Sequence, residues 1–271
     1  MQGEKMNLKF DYKPKSGYTK VLFPGGELLD YIEFGIIKLS SGEQYSENTE
    51  DNEVVLVILK GKCVISTSTI KWGPIGGRKD VFSGKAYAAY IPIQNRYDIT
   101  ALTDLEVAVC KGRTDFVGEP VVVAPDKVRV RSVGSGVWTR NVYDIIDERT
   151  SAGRLLVGET INPPGNWSSF PPHKHDIENP PEETKLEEVY FFKIQPEEGF
   201  GMQRIYTAPD SKDEGFDEAI VLKNNTVTVM PRGYHPVCAA PGYSVYYLWI
   251  IAGKNRKLIP REDSQHSWIG K

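Results

Sequence analysis

Two stretches of this chain fall on one another without a gap at a single offset, the one that carries Pro92 onto Pro231. The run "AAYIP" of "AAYIPIQNRYDITALTDLEVAVCKG" lands on "VTVMP" of "VTVMPRGYHPVCAAPGYSVYYLWII", and "LEVAV" lands near "VYYLW". Upstream, "EVVLVIL" from Glu53 resembles "EVYFFKI" from Glu188 at a slightly smaller offset. Two segments with the same order of apolar runs predict two copies of one module. The runs are short, rich in Val, Ile, Tyr and Thr, and separated by clusters of Gly, Pro, Asn and Asp, the pattern of strands joined by turns. The chain is therefore expected to be all-β, a sandwich or barrel made twice. The halves should be 1–125 and 126–271, divided near "PVVVAPDKV". Helical turns are expected only at the far C-terminus and in "TRNVYDIIDE".

Several function classes are excluded at this level. A net charge of −3 with no basic run argues against a nucleic-acid partner. The apolar stretches are strand-sized, short of the ~20 residues a membrane span needs. The opening "MQGEKMNLKFDYKPK" lacks the apolar core of a signal peptide. Cys63, Cys110 and Cys238 are widely scattered and match neither a disulfide framework nor a zinc ribbon. They read as buried thiols of a cytoplasmic protein.

The chemistry is signalled by histidine. Only four occur in the chain, and "SSFPPHKHD" places His173 and His175 one residue apart. On a strand, residues two apart share a face, so both imidazoles aim into one space. Glu187 and Glu188 open the otherwise apolar "EEVYFFKI", where a carboxylate is costly unless paired or ligated. His235 follows a Pro-x-Gly turn in "VMPRGYHPV". Imidazoles with one acid suit Zn, Fe, Ni or Cu. His266, in the polar "DSQHSW", is read as structural.

This set resembles the cupin pattern of H-x-H, Glu, then P-x-G and His, in which three imidazoles and one carboxylate bind a divalent metal inside a β-barrel. By position the ligands are His173, His175, Glu188 and His235. Glu188 matches better than Glu187 because "VYFF" follows it directly, and Glu187 would face the other way. The sequence departs from the pattern in several places. Gly165 lies further from the H-x-H than usual, "DIENPPEETKLE" separates His175 from Glu188, only Tyr234 separates Gly233 from His235, and Ala239 replaces the customary Asn. The long acidic segment is expected to loop out at the barrel mouth as a lid. The first half has no histidine. Arg96 stands where His235 would be and "GEQYS" where H-x-H would fall, so that barrel should lack a metal and serve packing and subunit contact in a homo-oligomer.

Longer phrases narrow the resemblance. "GRLLVGETINPPGNWSSFPPHKHD", "LEEVYFFK", "MQRIYT" and "PRGYHPVCAAPGYSVYYLWIIAG" are closely similar to the 5-deoxy-glucuronate isomerases of bacterial inositol breakdown, and "VLVILKGKCVI" and "VFSGKAYAAYIP" extend the match over nearly the whole chain. The resemblance implies a bicupin, two double-stranded β-helix barrels. It also implies an aldose–ketose isomerase converting the sugar acid 5-deoxy-D-glucuronate to 2-deoxy-5-keto-D-gluconate with one divalent ion, zinc or manganese. Tyr190, two residues beyond Glu188, is then a candidate catalytic residue facing the cavity, as is Tyr206. Gln203 and Arg204 are candidate substrate contacts, with the Arg204 guanidinium expected on the substrate carboxylate. Alternation forbids all of them pointing inward, since Gln203 has the opposite parity to Arg204 and Tyr206. A cupin oxygenase with the same ligands, or a non-catalytic sugar-acid-binding cupin, are the rival readings.

Overall fold

The computed structural model describes residues 6–25, 28–208 and 215–269. Within them the chain forms two antiparallel β-barrels that share a core. In the second barrel, a seven-stranded sheet runs in the order Lys9–Asp11, Thr226–Met230, Glu187–Gln195, Ser244–Ala252, Leu156–Asn162, Arg140–Ile146 and Arg129–Val133 among the described residues. Facing it lie Trp167–Ser168, Val237–Ala239, Gly201–Tyr206 and Asp217–Leu222. The first barrel repeats the plan. Its larger sheet contains Ala88–Ile91, Asn52–Lys60, Leu105–Arg113 and Ile32–Leu39, and Gln44–Asn48, Arg96–Ala101, Lys62–Thr67 and Lys71–Gly76 face it. No described helix is long and apolar enough to cross a membrane.

Strand alternation explains how one sequence fills three cores. In Glu187–Gln195, Val189 and Phe191 face the other barrel, whereas Tyr190, Phe192 and Ile194 line their own barrel. In Asn52–Lys60, Val55 and Val57 join the shared core while Val54, Leu56 and Ile58 fill the first barrel. Both strands are buried on both faces, which is why they read as continuous apolar runs rather than as alternating ones.

The duplication is visible in a reciprocal contact. Glu53, second in its strand, accepts backbone N–H bonds from Gly153, Arg154 and Leu155 of the other half, at 2.6, 2.6 and 2.8 Å. Glu187 opens the equivalent strand and accepts from Asp30, Tyr31 and Ile32 at 2.6, 2.9 and 2.6 Å. Each barrel thus grips the loop before one strand of the other. This pairing corrects the sequence alignment by one residue: Glu53 corresponds to Glu187, so the counterpart of Glu188 is Val54. A buried Arg78–Glu159 ion pair at 2.6 Å, with the Tyr246 hydroxyl donating to the same carboxylate, also joins the halves.

Two other expectations are corrected. Lys9–Asp11 belongs to the second barrel, pairing with Thr226–Met230, so the first 125 residues do not all stay in the first barrel. "TRNVYDIIDE" is not helical; it forms the strand Arg140–Ile146 after a 3-10 turn at Gly136–Trp138. Val142, Ile145 and Ile146 carry helix-like spacing because a register shift between Asp144 and Ile146 breaks the strand alternation.

Candidate metal centre

Glu188 lies on the interior face of its strand and pairs across to Met230. Beyond Met230 the chain reverses through Pro231, Arg232, Gly233 and Tyr234 and brings His235 back over Glu188. Gly233 makes that turn at φ +90°, and a Cβ there would meet the Tyr206 carbonyl oxygen at 2.5 Å. Its N–H donates to Asp176 at 2.7 Å. His173 comes from the short strand His173–Lys174, paired with Arg261–Glu262, and His175 follows it directly.

His175, Glu188 and His235 converge, their ligand atoms all within 4.8 Å of one another. The imidazole of His173 adjoins them, its ring centre 5.0 Å from that of His235 and 6.3 Å from that of His175. The tautomers are fixed by what lies behind the rings. His175 Nδ1 is 2.8 Å from the Leu186 carbonyl and His235 Nδ1 is 3.0 Å from the Gly233 carbonyl. A carbonyl only accepts, so in both rings Nδ1 carries the hydrogen, and in the neutral ring Nε2 is a bare lone pair. Both Nε2 atoms point at one oxygen, Glu188 Oε2, at 3.0 and 3.1 Å. The His235 Nε2 makes no hydrogen bond at all despite being buried. Three electron-pair donors crowded together in this way could hold a metal ion. Ligands bound at ~2.0–2.2 Å to one metal sit about 3 Å apart, which this spacing matches.

The electrostatics follow from the same crowding. Burial alone would raise the Glu188 carboxyl, but His175 and His235 outweigh it and hold the acid down to about 2. Burial, then the neighbouring His235 and His175, push the His173 imidazole down to about 3, leaving it neutral and able to ligate. For His175 burial works downward, yet its bond to Glu188 wins and raises it.

Below the ligands the barrel is polar. Tyr190 stacks on Tyr247 with ring centres 4.5 Å apart, and its hydroxyl lies 3.1 Å from that of Ser169. Tyr247 donates to Ser168, as does Asn162, both at 2.9 Å. Gln203 also points inward, accepting from Thr228 at 2.7 Å. Two other candidates lie on the opposite face of the Gly201–Tyr206 strand. Arg204 is nearly half exposed and forms a two-bond ion pair with Asp217, at 2.8 and 2.7 Å, while stacking over the Tyr206 ring. The Tyr206 hydroxyl donates to Asp263 at 2.7 Å. Gln203 and Ile205 take the interior positions, so the parity that admits Gln203 turns Arg204 and Tyr206 away from the cavity.

Sequence reasoning missed the groups that hold the ligands in place. Lys174, between the two histidines, is buried with its ammonium on Glu183 at 2.9 Å and on Asp176. Glu183 also accepts from the Asp176 and Ile177 N–H groups at 2.7 and 3.0 Å. The acidic segment after His175 is thereby tied down rather than free to open as a lid. Also missed was Arg140, whose strand partners place it on the interior side: Val142 lies opposite Thr160, which neighbours the Tyr247 side chain. Other surface grooves lie away from this site. One of about 350 Å³ runs between the barrels past Leu59, Phe82, Lys193 and Asn224, and reaches none of the four ligands.

The KduI/IolB family matches residues 13–269. This chain belongs to that family. Among curated relatives, the 5-deoxy-glucuronate isomerase of Geobacillus kaustophilus (strain HTA426) is 43% identical over 241 residues, 89% of this chain and 86% of that protein. The 5-deoxy-glucuronate isomerase of Bacillus subtilis (strain 168) is 37% identical over 243 residues, 89% and 88% of the two. The crystal structure of an IolB-like protein from Salmonella typhimurium LT2 superposes with a TM-score of 0.92 at 33% identity, covering 98% of this chain and 100% of that one. Oxalate decarboxylase from Lactobacillus farciminis, at 12% identity and a TM-score of 0.69 over 96% of this chain and 90% of its own, shares the fold alone. The duplicated cupin barrel expected from the internal repeat and the H-x-H, Glu and P-x-G, His pattern is the fold observed.

Proposed function

We propose that this protein is a metal-dependent aldose–ketose isomerase of the cytoplasm that converts 5-deoxy-D-glucuronate to 2-deoxy-5-keto-D-gluconate. The observation that carries the metal requirement is the pair of Nε2 lone pairs, on His175 and His235, aimed at one Glu188 oxygen. The names of relatives sharing up to 43% identity over 89% of the chain support the substrate.

His173, His175, Glu188 and His235 would hold one zinc or manganese ion. When bound, such an ion acts as a Lewis acid toward the sugar carbonyl and its adjacent hydroxyl and stabilises the negative charge that develops on them. The carbonyls of Leu186 and Gly233 keep two imidazoles in the ligating tautomer. Tyr190 holds a proton: burial, then the Glu188 charge, push its phenol well above the usual range. It therefore meets the sugar as a hydroxyl donor, oriented by Ser169 and Tyr247. Gln203, fixed by Thr228, supplies an amide on the cavity side.

The test is a product assay on 5-deoxy-D-glucuronate with and without oxygen, paired with metal analysis of the purified protein. The expected result is one divalent ion per chain and equal turnover in both atmospheres. Turnover that requires oxygen would support an oxygenase, and tight binding of the acid without product would support a binding module.

A further inference from the structure

The isomerase reading demands a partner for a carboxylate at the end of the sugar chain remote from the reacting carbonyl. The sequence candidate, Arg204, is outside the barrel and already paired. Near the ligands Lys174 is held between Glu183 and Asp176. The guanidinium of Arg140 forms no ion pair with an acid among the described residues and bonds only to backbone carbonyls.

Arg140 begins its strand at the barrel mouth, half-buried, beside an aromatic rim in which Trp138 and Trp167 both pack against Phe170. Its Nη1 donates to the carbonyls of Trp138 and Phe170, both at 3.2 Å. These two bonds fix the plane of the group. Its Nε and Nη2 have no protein partner among the described residues, and they form the edge that binds a carboxylate through two parallel hydrogen bonds. The charge lies within electrostatic reach of His173, Tyr190 and Tyr247. A partly buried guanidinium resting on neutral carbonyls alone is unfavourable, and burial lowers its pKa accordingly. An anion delivered with the substrate would offset that.

We infer that Arg140 anchors the carboxylate of the sugar acid through its Nε–Nη2 edge and makes the site selective for acids over neutral sugars. This assignment rests on the isomerase reading for its substrate class, and its test is separable from that reading. The probe is the open-chain acid made by reducing the aldehyde of 5-deoxy-D-glucuronate, which cannot isomerise, together with its neutral counterpart bearing a hydroxymethyl group. Calorimetric titration into metal-loaded wild type, Arg140→Met and Arg140→Lys would be read beside steady-state kinetics.

The loss of a charge-assisted pair should weaken binding of the acid about 10- to 100-fold in Arg140→Met. The preference for acid over neutral probe should collapse with it, and KM for the sugar acid should rise far more than kcat falls. Arg140→Lys keeps the charge without the fork and should fall between, which also decides the matter if the methionine variant misfolds or loses metal. Equal losses for acid and neutral probes, undiminished acid binding in both variants, or no acid binding by wild type would each overturn the assignment. Arg140-dependent acid binding by a protein that yields no ketose product would leave the anchor standing and remove the isomerase reading.

Discussion

Replacing His235 with alanine separates the site's chemistry from the barrel's stability. The side chain is 1% exposed and its removal opens a small cavity, which costs free energy. Removal also relieves the apposition of a bare Nε2 with Glu188 Oε2 at 3.1 Å. These effects oppose each other, so the melting temperature in chelator should change little. With metal the two proteins should diverge. A ligand present at about 100 times its Kd stabilises by about 2.7 kcal/mol. For 271 residues, 1 kcal/mol corresponds to about 2 °C, so metal should raise the wild-type Tm by about 5 °C. If losing one ligand weakens binding about 100-fold, the same metal concentration stabilises the variant by only about 0.4 kcal/mol, under about 1 °C. Turnover should fall on the order of 100–1,000-fold, as expected for one preorganised electrostatic contact. Scanning calorimetry with and without metal, beside the isomerase assay, reads both. His266→Ala is the control, since that ring is partly exposed and 3.9 Å from Asp263. A His235→Ala protein with the full metal-induced shift and wild-type turnover would refute the ligand assignment.

Lys174→Met leaves Glu183 buried without its ammonium and should lower stability by about 3–5 kcal/mol, a drop near 6–10 °C that calorimetry would detect; a drop under about 2 °C would show the cluster to be unimportant. Glu53→Gln and Glu187→Gln each turn one acceptor oxygen into a donor facing backbone N–H groups, for a loss of about 2–3 kcal/mol apiece, and near-identical losses are expected from their reciprocal geometry. Acid titration should expose the first barrel's charge cluster. For Glu33, burial works upward, but Lys20 and Lys111 prevail and lower its pKa. Its stabilising contribution is therefore complete above the ordinary Glu range and lost as pH falls through the lowered value. Unfolding curves should show a shallower acid-side decline in Lys111→Met, and an unchanged decline would count against the pairing.

What the sequence disclosed was whatever local spacing controls. His173, His175 and Glu188 declare themselves because strand parity and a carboxylate in an apolar run are local facts, and Tyr190 follows from Glu188 by the same parity. His235 follows from the turn that Gly233 permits. Parity within a strand, however, does not say which face is inside. Gly201–Tyr206 turns Gln203 inward because Gly201 packs against Val245 and the Cys238 carbonyl, contacts made across long sequence separations. Arg140 was hidden twice: a register shift gave its strand a helix-like period, and its inward face depends on pairing with Leu156–Asn162. The tether of the acidic segment rests on Lys174 meeting Glu183, which nothing in either local pattern foretells.

The two barrels share a frame and differ in how their mouths are neutralised. Across from Val54, the counterpart of Glu188, the first barrel places Lys111 on the same interior face. Its ammonium sits 2.9 Å from Glu33 and 2.6 Å from Glu47 and lies over the Tyr18 ring. Glu47 and Tyr45 come from Gln44–Asn48, which overlaps the stretch where an H-x-H pair would fall, and both take inward positions across from Tyr97 and Ile99. Acids therefore remain at this mouth, but the cation opposing them is covalently attached. A tethered ammonium offers no vacant coordination position and cannot act as a Lewis acid. In the second barrel the residue across from Glu188 is Ile251, which supplies no charge. Glu188 faces the imidazoles of His175 and His235 instead. The duplicated fold is thus divided by a few interior side chains into a barrel that neutralises itself and a barrel built to bind.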